Sequence, residues 1–394
     1  MVFVLKKKIK NFFSLIKNRG IQKTFQAIIN FCLIILNRLL RKKFFVKEIY
    51  NYKMMLDMDD MGISRTLMLF GERELEHKYI LEKVIEPNMR VLDIGANIGY
   101  YVLMEAQCLD KDKGQIIAVE PSKRNIEILK RNLKLNKIDN FVELHNKGIS
   151  DINGVKDIYL SEHTNLNTFH NYGTGEKFLS GEKQSVEVCT IKKIMNDRSV
   201  NMIRMDVEGH EVKILDGLIK DYKREKYLPI IILETHLSRY NNDNDMSQTL
   251  TNLFSLGYAV KIAGTSGIRG TETLKSMGYK VIEEIKSDDE IRVVIEDIKN
   301  EDAIKLITKT GGLRRHGSGL NTVRLKRVLI KAKPKTKYEG HPSAIKKRAF
   351  VYVSSPSRRF GRTAYFVGVG EGHACGLRSV ARQPRKPGGL GPGD

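Results

Sequence analysis

From Glu72 to Gly264 the chain alternates short apolar runs with segments whose apolar residues recur every three or four positions. Residues 72–86, ERELEHKYILEKVIE, carry Leu75, Tyr79, Ile80 and Val84 at helical spacing, and Pro87 stops that helix. VLDIG then reads as a strand, YYVLMEAQCL as a helix and QIIAVEP as a strand. SKRNIEILKRNLKLN reads as a helix with Ser122 as its N-cap. FVELHNKGIS and NMIRMDVEG are strands, HEVKILDGLIKDY is a helix and LPIIILETH is a strand. TLTNLFSLG is a helix ending at Gly257, followed by the strand YAVKIAG. NTVRLKRVLI, Asn321 to Ile330, fits one more strand. Apolar strands alternating with amphipathic helices predict an α/β protein: a mostly parallel sheet with helices on both faces. Residues 151–190 interrupt the alternation with two strand patterns, VKDIYLS and SVEVCTI, around a polar stretch, which predicts a hairpin-type insertion near the ligand edge of the sheet.

Both ends differ from this body. Residues 1–50 hold 12 Lys/Arg and one acid, and residues 301–394 hold 21 Lys/Arg and five acids, so the net charge of +22 belongs to the termini. The middle is slightly acidic, which argues against nucleic acid as a partner. Residues 1–50 are expected to form a basic and apolar helical extension. Within residues 1–47 the longest apolar run, Ala27 to Leu36, is broken by Asn30 and flanked by Lys23 and Arg38. It is too short to span a bilayer, which takes about 20 residues, and no small-residue cleavage site follows. It suits a peripheral helix on an anionic membrane surface, or an extension packed on the body or on a partner. Residues 51–330 are expected to form the folded domain. From residue 331 a basic tail rich in Arg, Gly, Pro and Ser is expected to be disordered or not native to the gene. Cys32, Cys108, Cys189 and Cys375 show no CxxC spacing, which fits a reduced protein without zinc, in the cytoplasm or on the inner membrane surface.

The candidate chemistry lies at three strand ends. In DIGANIG, Asp93 ends a strand, and Gly95 and Gly99 frame a tight turn into a helix. The spacing is G-x-x-x-G, so the diphosphate-binding fingerprint of dinucleotide folds is missing. Glu120 ends the next strand, placed to accept from ribose hydroxyls. A ribose-bearing ligand without a diphosphate fits S-adenosylmethionine, with Asp93 near its cationic part. In IRMDVEGHE, Asp206, Glu208, His210 and Glu211 gather where a further strand ends. Asp206 or His210 are candidates for a general base. A divalent ion is a second reading of this cluster, and capping of the following helix a third, so no metal ligand is assigned. Glu234 and His236 end the next strand on the same sheet edge, as substrate-pocket candidates, and His236 competes with His210 as base.

In order and spacing, VLDIGANIGYY, IIAVEPS, the GISD segment (Gly148 to Asp151), VCTIKKI, IRMDVEGHEVKILDGL and IILETH resemble the FkbM family of methyltransferases, from about residue 75 to about residue 265. The resemblance implies a Rossmann-like class I fold with seven strands in the order 3-2-1-4-5-7-6 and the inner strand next to the edge reversed. It implies methyl transfer from S-adenosylmethionine to a hydroxyl, often on a sugar of a glycan, lipid-linked saccharide or natural product. Asp93, Gly95, Asn97 and Gly99 would form the cofactor loop, Glu120 the ribose acid, and Gly148 and Ile149 the adenine surroundings. Asp206 and Glu208 would face the methyl-transfer site. Other readings are N- or C-methylation of a small molecule, or a membrane- or nucleic-acid-binding protein on a degenerate Rossmann-like body.

Overall fold

A computed structural model of the chain describes residues 16–170, 179–196, 198–222, 228–265, 271–288, 290–309 and 325–332. The tail expected after residue 331 therefore lies outside the described residues from position 333 onward, as do residues 1–15 of the N-terminal extension.

The described strands are β1 (Phe44–Ile49), β2 (Tyr52–Asp57), β3 (Arg90–Ile94), β4 (Gln115–Val119), β5 (Val142–His145), β6 (Gly148–Ile149), β7 (Gly154–Ser161), β8 (Leu179–Cys189), β9 (Met202–Met205), β10 (Ile230–Glu234), β11 (Tyr258–Thr265), β12 (Val281–Ser287), β13 (Glu290–Ile298) and β14 (Leu325–Ala332). Nine of them form one sheet in the order β12-β13-β11-β14-β10-β9-β3-β4-β5. The seven from β5 to β11 follow the expected order. β14 runs antiparallel to both β10 and β11, so it is the reversed inner strand. The pair β12–β13 extends that edge, joined to β11 by antiparallel pairing.

The described helices are α1 (Ile21–Leu39), α2 (Ile63–Phe70), α3 (Leu75–Val84), α4 (Tyr100–Cys108), α5 (Lys123–Leu135), α6 (Ile191–Met195), α7 (Glu211–Tyr222), α8 (Met246–Ser255), α9 (Thr271–Ser276) and α10 (Asn300–Ile304). Ser122 caps α5 by accepting from the Asn125 N–H. The sheet is buried on both faces because alternate residues of its strands feed two separate cores. Leu92, Ile117, Ile203 and Ile231 point to the core beneath α6, α7 and α8. Val91, Ile116, Met202 and Ile232 point to the opposite core, beneath α3, α4, α5 and the β1–β2 hairpin.

The N-terminal extension is helical only to Leu39. Phe44–Ile49, expected inside it, is a strand instead, turning back at Tyr50 (φ +56°) to pair with β2 through Ile49 and Tyr52. Its aromatic and β-branched residues gain more from a hairpin packed on the body than from another turn of helix. Asn132 of α5 anchors that hairpin. The side chain is fully buried; its Oδ1 accepts from Met55 N–H at 2.6 Å and its Nδ2 donates to the Ile98 carbonyl at 2.8 Å. The 151–190 insertion folds as predicted into the antiparallel pair β7–β8, joined by β6 into a small separate sheet.

Asn132→Ala would leave backbone groups of β2 and of the loop before α4 unpaired in the core. A loss of about 2–3 kcal/mol is expected in urea unfolding; a shift within error would show that the hairpin does not depend on this side chain.

Candidate functional site

Parallel pairing sets the foundation of the site. β3 and β9 are in register with Asp93 opposite Arg204, and both side chains leave the same face. Arg204 is 1% exposed and Asp93 0%. The guanidinium donates to Asp93 Oδ1 at 3.0 Å, to the Gly95 carbonyl at 3.3 Å and to Asp206 Oδ2 at 3.1 Å. It also stacks over the Tyr101 ring at 4.1 Å. Burial pushes the Asp93 carboxyl up and Arg204 pulls it back. Glu105 of α4, fully buried beside them, is raised well above the carboxylate range by burial and by the Asp93 charge.

Above this ion pair the strand ends open into a cleft of about 500 Å³, open to solvent. One wall is Gly95, Asn97, Glu120 and Pro121; another is Gly148, Ile149, Ile158 and Phe169; Asp206, Val207 and Glu208 close the third side. The turn after β3 requires a glycine. Gly95 has φ +78°, and a Cβ there would come 2.2 Å from the Asp206 carbonyl oxygen. Gly148 likewise lies against a ring: its Cβ would meet Phe169 Cζ at 2.5 Å. Glu120, 4% exposed, accepts from the Asn97 N–H at 2.9 Å, from the Ser122 N–H at 2.9 Å and from the Asn125 amide at 3.3 Å. Burial nevertheless pushes its carboxyl up to about 7, against those bonds.

The loop Asp206–His210 is held from three sides. Glu208 sits at φ +49°, a strained backbone for a glutamate, and Thr168 of the insertion donates to its carbonyl at 2.9 Å. Asn244 donates to the Gly209 carbonyl at 2.9 Å. Glu211, in the first turn of α7, accepts from Gly209 N–H at 3.3 Å.

His236, just past β10, joins the strand ends. Its Nδ1 lies 2.7 Å from Glu211 Oε1, and its Nε2 lies 3.5 Å from Glu208 and 3.6 Å from Asp206. Burial alone would lower its pKa, but Glu211 and Glu208 hold it well above the usual imidazole value, as an imidazolium. Carboxylate oxygens of Asp206 and Glu234 and a ring nitrogen of His236 all lie within 4.8 Å of one another. Those three residues are also the ones that could hold a divalent ion.

Of the twelve residues expected from sequence, seven line the cleft: Gly95, Asn97, Glu120, Gly148, Ile149, Asp206 and Glu208. Five do not. Asp93 lies beneath the floor, spent on Arg204 rather than facing a cationic ligand. Gly99 starts α4, where a Cβ would strike Leu129 at 2.5 Å. Glu234 is buried below His236 at the end of β10. His236 reaches the site through Asp206 and Glu208. His210 is turned away: it is 2% exposed, with Nε2 3.0 Å from Ser150 Oγ and Nδ1 3.2 Å from His170. Its ring backs the cleft-lining Phe169 at 4.9 Å, and burial holds it well below the usual imidazole value. Its ring neighbours Phe169 and His170 come from the insertion, which the DVEGHE string alone does not reveal. Arg204 was not expected, although a lone cation inside a buried strand is its own signal, because such groups are rarely buried unpaired. Asn125, Thr164, Asn165, Asn167 and Phe169 also line the cleft and carry no motif.

A glycine turn after the first core strand, a buried acid after the second and a carboxylate loop after the fourth, on this strand order, define a class I S-adenosylmethionine-dependent methyltransferase fold. Residues 93–260 match the model of the methyltransferase FkbM domain. Over residues 93–260 the chain thus matches a methyltransferase domain of the FkbM family, and its cofactor is S-adenosylmethionine. Residues 9–154 also match the model of protein-L-isoaspartate(D-aspartate) O-methyltransferase. No curated protein matches the chain. Among solved structures, the methyltransferase FkbM from Methylobacillus flagellatus KT is 15% identical with a TM-score of 0.30, covering 59% of this chain and 54% of its own. This chain thus spans about half of that protein. The TYW2 of M. jannaschii in complex with AdoMet is 14% identical, with a TM-score of 0.32, and 65% of this chain and 88% of that one are covered. The O-methyltransferase from Bacillus cereus in complex with SAH is 11% identical, with a TM-score of 0.32 and coverage of 57% and 83%. Likeness at this level fixes neither site nor acceptor.

Two outcomes follow from the geometry. Gly95→Ala would force the β3 turn off the Asp206 carbonyl and is expected to destabilise the chain by about 2–3 kcal/mol in chemical unfolding. Glu120 has a raised folded pKa, so the stability it contributes is complete below the unfolded carboxyl value of 4.5 and is lost as pH rises through about 7. Glu120→Gln should remove that slope; cofactor-free melting curves of both proteins from pH 5 to 8 that stay parallel would refute the assignment.

Proposed function

We propose that the chain is an O-methyltransferase acting on a hydroxyl of a sugar-type acceptor, in a glycan, lipid-linked saccharide or natural product. The observation that carries this is the cleft itself. Asp206 and Glu208 face the same space as Gly95, Asn97 and Glu120, so groups suited to a hydroxyl adjoin groups suited to a ribose. The residues fit the cofactor. Glu120 offers a carboxylate to two ribose hydroxyls, Gly95 lets a ligand approach the backbone, and Gly148 and Ile149 offer an apolar wall for a flat base. When bound, S-adenosylmethionine supplies an electrophilic methyl on a sulfonium.

The chain's own residues do the rest. Asp206 is anchored by Arg204 at 3.1 Å and so holds the acceptor hydroxyl in place. Glu208 has no arginine beside it and takes the acceptor proton. His236 stays protonated and fixes both carboxylates, which leaves it without a free lone pair for a base. His210 supports Phe169 and takes no proton. The insertion narrows the cleft through Ile158, Asn165, Asn167 and Phe169, so the acceptor must enter between it and the Glu208 loop. The match of residues 9–154 to an O-methyltransferase model also supports oxygen as the receiving atom. Three unpaired cysteines among the described residues, Cys32, Cys108 and Cys189, support a reducing compartment such as the cytoplasm.

Calorimetry with S-adenosylhomocysteine tests the cofactor half: wild type should bind and Glu120→Ala should not. Labelled methyl transfer to a saccharide panel tests the acceptor half. With the responding saccharide, Glu208→Gln should lower kcat about 10²-fold with little change in KM, whereas Asp206→Asn should raise KM. Transfer to amines alone, or equal kcat for Glu208→Gln and wild type, would overturn the reading.

A further inference from the structure

Helix α1 is mounted with its apolar side outward. The face it gives to the body is Thr24, Ala27, Asn30 and Ile34, of which two are polar and one is small. The opposite face carries Ile21, Phe25, Ile29, Leu33, Leu36 and Leu39 at three- and four-residue spacing. In all, ten large apolar side chains from Ile21 to Leu40 are 41–75% exposed. A water-facing helix shows the reverse pattern.

The mounting is specific. Asn30 Nδ2 donates to the Leu69 carbonyl at 2.7 Å, Lys23 pairs with Glu72, and Arg38 donates to the Met58 carbonyl. Arg19 lies 3.7 Å over the Phe70 ring. These contacts fix which side of the helix faces away, so the exposed stripe is not a helix caught in rotation.

We propose that α1 lies in the interfacial layer of an anionic lipid bilayer, apolar face down, and holds the catalytic cleft at that surface. Charge selects the occupant. Exposed Lys17, Arg38, Arg41, Lys42 and Lys43 flank the stripe at its two ends, and residues 1–50 carry 12 cations against one acid. Two copies meeting through this face would bring those clusters together and repel; anionic headgroups neutralise them. Spanning is excluded for α1, since its polar side is fastened to the body, and no described helix is long and apolar enough to cross a membrane.

The helix is also tied to the cleft. Arg38 holds the Met58 carbonyl, and two residues on, Asp60 accepts from Gly62, Ser64 and Thr164 N–H groups. Thr164 lines the cleft. The segment that seats α1 therefore also builds the cleft wall. The docking does not depend on which acceptor is methylated.

Co-sedimentation of the full chain with vesicles tests this. Pelleting is expected with phosphatidylcholine–phosphatidylglycerol vesicles, little with phosphatidylcholine alone, and less as salt rises. The variant Phe25→Ser/Ile29→Ser/Leu36→Ser, changed only at exposed positions, should lose pelleting by more than about tenfold while melting and binding S-adenosylhomocysteine as wild type does. Absence of pelleting with the anionic vesicles would overturn the proposal. So would equal pelleting of the triple variant, or a lipid-free dimer that the same variant dissociates, which would assign the face to a second copy.

Discussion

One buried cation organises the site. Arg204 sits in the middle of a parallel sheet, where an unpaired guanidinium would be untenable. Its position is stable because the register of β3 and β9 brings Asp93 directly beside it, and because Asp206 and the Gly95 carbonyl also accept from its terminal guanidinium nitrogens. Those partners belong to the glycine turn after β3 and to the carboxylate loop after β9. The ion pair therefore welds together two loops that line the cleft. Removing one partner would leave a charge buried without compensation, which costs more than the pair itself is worth. Glu105, buried beside it, has its carboxyl pushed up by that burial and by the Asp93 charge.

The upper layer is a second charge balance, built around His236. Three carboxylates, Asp206, Glu208 and Glu211, converge on one imidazole from the loop after β9 and the start of α7. Left alone they would repel one another and loosen the loop. With an imidazolium among them they are drawn into a fixed set, and the strained backbone of Glu208 becomes affordable. Methyl transfer rewards such fixity, because much of its acceleration comes from alignment of the reacting atoms. Layering the two cations, Arg204 below and His236 above, keeps Asp206 pinned from both sides while Glu208 is pinned from one.

The sheet was legible because buried parallel strands are written as continuous apolar runs, and those of β3, β4, β9 and β10 end at a glycine or an acid. The strand order was legible only through the resemblance, since periodicity says nothing about which strands are neighbours. β12 and β13 carried too many charges to stand out: Glu283, Glu284 and Lys286 sit on an edge strand, where one side of the chain meets water. In the site, residues at the strand ends read well, since topology forces them to one edge. Histidines read poorly. His210 and His236 have the same sequence setting, just past a strand, and differ only in what the fold packs on them. Ser150, His170 and Phe169 bury one; three carboxylates charge the other.

The N-terminal helix shows a further limit of reading pattern as structure. An amphipathic period marks two faces but not which of them meets the protein. The usual assignment buries the apolar face, because burial of hydrocarbon is the dominant gain in folding. In α1 the body takes the polar face instead, and the specificity of that contact comes from directional bonds: an asparagine to a carbonyl, a lysine to a glutamate, an arginine to the loop beneath the cleft. Directional bonds fix orientation well but supply little net free energy in water. A helix held this way is ordered on the body but keeps its hydrocarbon in water, so whatever covers that hydrocarbon adds to the stability that the directional bonds already give.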